Sequence, residues 1–208
     1  RDAQESRGLG DVYKRQIKKH KGDADIHAKI ITYDWDMYAV QGPDSLKAMN
    51  AMLDEPVDDL KRFGICKRKL GGIPVYIHRS GFTGESGYEI YSAFDKSAEM
   101  HDLALKAVES VGGRELQTLE VYVRSIPMEK GFPLKQDFKH LSPYECGLGW
   151  AVAADKDFIG REAALQRREH PKYRMVGLEF SRESTEDISI WERVYWYGVE
   201  VGRCAQTI

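Results

Sequence analysis

Two runs that alternate apolar and polar residues, IPVYIHRS (73–80) and GYEIYSAF (87–94), flank a stretch with glycines at 81, 84 and 87. A period of two is the pattern of half-buried strands, so RSGFTGESGYEIY (79–91) has to turn the chain between them. A phosphate loop would need glycine-freed N–H groups at the start of a helix, followed by Lys-Ser or Lys-Thr. Here a strand follows instead, and no ribose-binding acid stands at dinucleotide spacing. The glycines are read as positions that need positive φ or close backbone approach in a hairpin.

The rest of the chain mixes helices and strands. HAKIITYDWDMYAVQGPDS opens strand-like and breaks at Gly42-Pro43. Asp44 or Ser45 can cap a helix carrying Leu46, Met49 and Leu53 on one face. A second short helix, PVDDLKRF, is predicted from Pro56. Asp95 starts a helix to about Ser110, with Met100, Leu103 and Val108 facing inward and Gly112-Gly113 ending it. RELQTLEVYVRS reads as a helix stopped by Pro127. SPYE (142–145) has capping-box spacing, LGWAVAA reads as a buried strand, and IGREAALQRRE as a short amphipathic helix. From Lys172 onward the pattern is strands only: YRMVGLEF, then ERVYWYGVEVGR turning near Tyr197-Gly198. A domain boundary is placed at about residue 170. Residues 1–16 show no helical or strand period and are set aside as a non-native leader. The final EVGRCAQTI stops within a strand-like run, and the chain is read as a fragment.

Hydrophobic residues make up 42% and support a core, while charged residues nearly cancel to a formal net charge of −2. No basic excess exists to release counterions, which argues against nucleic-acid and polybasic-membrane partners. The three cysteines, Cys66, Cys146 and Cys204, form no CxxC, and the six histidines never fall at HxxxH spacing, so no metal site is expected. A reducing, cytoplasmic compartment is the default, and no apolar run approaches a membrane span.

SGFTGESGYEIY resembles TGYTGEDGFEI of the glycine-cleavage T-protein family, the folate-dependent aminomethyltransferases. Further segments agree in the same order. YAVQGPDSLKAM is similar to the family's LQGPKS turn and helix, and SIPMEKGFPL to TLRLEAGMPL. SPYECGLGWAVAADKDFIGREAAL resembles TPLEAGLGWVVKLDKDFIGREAL and is the most specific match. VYWYGVEVGRCAQT is a weaker likeness of the family's C-terminal V..DGKEVGKVTSG. The likeness covers roughly residues 25–208. Pro127 replaces the Arg of LRLE, and AQT replaces TSG. PYECGLG, with Tyr144 and Cys146, is closer to dimethylsulfoniopropionate demethylases.

The resemblance implies an α+β fold: the C-terminal part of a folate-binding domain over residues 17–170, then the start of a small β-barrel domain over 171–208. It implies tetrahydrofolate as cofactor and transfer of a one-carbon unit to its N5. The donor would be an aminomethyl group on a lipoyl carrier protein (H-protein), or a small-molecule one-carbon donor in related enzymes. Glu129 matches the Glu of LRLE, which accepts the pterin N3–H and 2-amino group together. Tyr122, two helical turns earlier if the helix is continuous, either stacks on the folate or packs in the core. Lys156 either meets the glutamyl tail or is a solvated turn lysine. The family's catalytic aspartate lies upstream of this chain, and Asp34 and Asp36 do not replace it. Other readings are a folate-dependent demethylase, the folate domain of a dimethylglycine or sarcosine dehydrogenase, and a folate-binding accessory protein of iron–sulfur assembly. The last group carries a KGCYxGQE motif that is absent after Lys130-Gly131.

Overall fold

The alternation seen in the sequence becomes the middle of a sheet. The computed structural model describes residues 8–116, 125–133, 141–179 and 192–204. It has α1 (Gly8–His20), β1 (Trp35–Gln41), α2 (Ser45–Met52), β2 (Ile65–Leu70), β3 (Ile73–His78), β4 (Gly87–Ala93) and α3 (Ser97–Ser110). Then come α4 (Ile126–Glu129), α5 (Arg161–Glu169), β5 (Arg193–Trp196) and β6 (Val199–Arg203). The chain forms two compact units, one of residues 1–81 and 86–115, the other of 82–85 and 116–208.

In the first unit four antiparallel strands lie in the order β1-β4-β3-β2. In β3 the odd positions Ile73, Val75 and Ile77 are buried and the intervening Pro74 and Tyr76 are exposed, the period-two pattern in physical form. β4 pairs on both sides, and its inward Tyr88, Ile90 and Ser92 are all but fully buried. Helices α2 and α3 cover this face with Ala48 and Met49, and with Met100, Ala104 and Ala107. The result is an α+β arrangement with one mixed core.

Several expectations change. The first helix contradicts the absence of a helical period in residues 1–16: Leu9, Val12, Tyr13 and Ile17 recur at helical spacing, and Lys18, Lys19 and His20 complement the dipole at its end. β2 was not predicted. It is an edge strand whose ICKRKL run buries only Leu70 fully, so charge masks the alternation. PVDDLKRF makes turns rather than a helix. Val57 is fully buried, its N–H takes the Asn50 side-chain oxygen at 3.0 Å, and Phe63 turns with φ 62°. Neither proposed cap of α2 acts as one. Asp44 pairs with Lys47 at 2.6 Å, and buried Ser45 donates to the Ser86 carbonyl at 3.2 Å.

In the second unit Pro127 occupies the first turn of α4, a position where its missing N–H costs nothing. Residues 114–116 are not helical, and residues 117–124 of the predicted RELQTLEVYVRS helix, with Tyr122, lie outside the described residues. LGWAVAA contains a single 3-10 turn (Gly149–Ala151) rather than a buried strand, and Trp150 is 66% exposed. Gly147 at φ 78° ends the preceding turn, and Gly149 packs against the Tyr144 ring where no larger side chain fits. α5 forms as expected, while residues 173–179 of YRMVGLEF make no ladder. β5 and β6 pair through a tight turn with Tyr197 at φ 47° and Gly198 at φ 80°. Of the expected β-barrel, the described residues contain this hairpin. The boundary expected near residue 170 falls inside the second unit, where Glu145 ties backbone on the far side of it.

Candidate functional site

The glycine stretch is the loop joining the two inner strands, and each motif residue in it has a structural task. At its base, in the first unit, the Gln41 amide spans the neck by donating to the carbonyls of Ser80 (3.1 Å) and Tyr88 (3.3 Å). A Cβ at Gly81 or Gly87 would overlap that amide, so both glycines are there for close approach. Gly42 N–H donates to the Ser86 carbonyl at 2.8 Å, so the QGPDS and GFTGESG motifs close on one another.

The tip, Phe82–Glu85, belongs to the second unit together with the EKGF segment. That segment ends α4 with a left-handed cap. Gly131 has φ 66°, its N–H bonds to the Met128 carbonyl at 2.8 Å, and Phe132 N–H bonds to the Pro127 carbonyl at 2.8 Å. The tip rests on this cap. The Phe82 and Phe132 rings meet edge to face at 5.2 Å. Gly84, at φ 73°, lies so close to the Lys130 stem that an added Cβ would be 2.7 Å from its Cβ. Glu85 pairs with the Lys130 ammonium at 2.5 Å. Hydrogen bonding to Glu85 and the nearby charges of Glu85 and Glu129 push the Lys130 ammonium up from its ordinary range.

Glu129 is the last residue of α4 and is exposed. Among the described residues no hydrogen bond engages it. Lys156 is exposed in the turn after the 3-10 element. Tyr122 lies outside the described residues. A shallow groove of about 250 Å³ is lined by Lys14, Ile17 and residues 28–32, and includes neither Glu129 nor Lys156.

Sequence reasoning found half of a second cluster. The box SPYE is made reciprocally: Ser142 N–H donates to Glu145 Oε2 at 2.8 Å, and Glu145 N–H reaches Ser142 Oγ at 3.4 Å. It caps a turn rather than a regular helix. Glu145 also accepts from Arg167, from Lys172 N–H at 2.7 Å and from Tyr173 N–H at 3.1 Å. Burial would raise its pKa, but these four donors outweigh burial and hold it at about 2. A buried acid saturated with donors holds structure and is not a proton donor. Cys146 is likewise a packing residue, buried with its thiol toward the Ser142 and Pro143 carbonyls. Asp36 accepts from Ser97 Oγ at 2.6 Å and from Tyr38, which accounts for it structurally. Among the described residues no group of His, Cys, Asp and Glu could hold a metal ion, and no helix is long and apolar enough to cross a membrane.

Comparison with known proteins matches the family described as GCVT N-terminal domain over residues 7–156, which takes in part of the stretch set aside as a leader. An aminomethyltransferase of Thermotoga maritima is 26% identical over 86% of this chain and 50% of the relative. One of Shouchella clausii is 32% identical over 80% and 46%. A probable aminomethyltransferase of Halobacterium salinarum is 33% identical over 76% and 44%. The chain spans about half the length of these curated relatives. With a match over most of its length, and with motifs that build one loop and the segment it rests on, this chain belongs to the GCVT N-terminal domain family.

Proposed function

We propose that this chain is part of a tetrahydrofolate-dependent one-carbon transferase, in the first place an aminomethyltransferase of glycine cleavage that receives its aminomethyl group from a lipoyl carrier protein. The observation that carries this reading is the family match over residues 7–156 together with relatives named aminomethyltransferase. Tetrahydrofolate, when bound, supplies the nucleophilic N5 that receives the one-carbon unit.

The acceptor this chain offers fits the pterin edge. Glu129 stands exposed at the end of α4, engaged by no hydrogen bond among the described residues, and an ionised carboxylate accepts two parallel N–H bonds. Lys156, exposed in its turn, is assigned to the glutamyl tail, and Tyr122 to stacking.

Glu129→Gln tests the assignment by calorimetry with tetrahydrofolate. Loss of a charge-assisted bond costs about 2 kcal/mol, so affinity falls about thirtyfold. Unchanged affinity removes Glu129 from the site. Release of ammonia that depends on an aminomethylated lipoyl carrier separates this reaction from demethylation of a small compound.

A further inference from the structure

We draw no further inference here: the strongest candidate, the face of the four-stranded sheet turned away from α2 and α3, exposes Met37 and Tyr76 and ties Glu89 to His78 at 3.1 Å, yet nothing in the structure shows what covers it.

Discussion

Replacing Glu145 by Gln removes a charge from a side chain of the second unit that is held by four donors. Its carboxylate is fully buried and receives Ser142 N–H, Arg167, Lys172 N–H and Tyr173 N–H. The pKa lies at about 2 instead of the ordinary 4.5, a difference worth roughly 3 kcal/mol as an upper bound. Arg167 is 29% exposed, and solvent screening of its share lowers the figure to about 1–2 kcal/mol. Because the folded-state pKa is depressed, this stability is fully present above about pH 5 and drains away as pH falls toward 2. The readout is local: hydrogen exchange at the Lys172 and Tyr173 amides, both bonded to Glu145 Oε1. At pH 6, Glu145→Gln should lower their protection about tenfold, and the unmodified chain should show a comparable loss on descending from pH 5 to pH 2. Equal protection in the two proteins at pH 6 would refute the reasoning, since it would mean that the charge adds nothing to the two amides it binds.

Met49 is fully buried under the sheet, so Met49→Ala should cost about 2–5 kcal/mol, read as an earlier urea midpoint by circular dichroism. His101 bonds to Glu115 at 3.0 Å, and that bond, with help from Asp102, raises its pKa. A raised histidine gives stability that is complete below its unfolded value and lost as pH rises through the folded one. Exchange at residues 111–115 should therefore quicken above neutral pH, and Glu115→Gln should abolish that dependence.

The sequence carried the centre of the fold further than its margins. β3 and β4 were legible because both are inner strands with one buried face, so hydrophobic alternation is forced on them. β2, at the edge, fills its positions with Lys and Arg and leaves no such trace. PVDDLKRF has a helix-like start, but the pull of Val57 into the core outweighs local propensity. LGWAVAA is apolar enough for a buried strand, yet the left-handed Gly147 and the tight Gly149–Tyr144 contact bend it into a turn. In the candidate site, Glu129 came from the family likeness alone, because nothing in the spacing of a lone acid marks it. Glu85 was unreadable: its partner lies 45 positions away in sequence, joined only through the folded loop. Glu145 was half visible, since the box fixes Ser142 but not the amides of Lys172 and Tyr173.

The neck spanned by Gln41 also governs how the loop can vary. Its two ends spring from adjoining inner strands and are laced to the same amide, so a residue gained or lost there would slip the register of β3 against β4. Changes in loop length are therefore confined to the few positions beyond Gly81. A peptide tag grafted at Gly84–Glu85 would leave the sheet intact and unseat the tip, whereas the same tag at Ser80 would misalign the strands themselves.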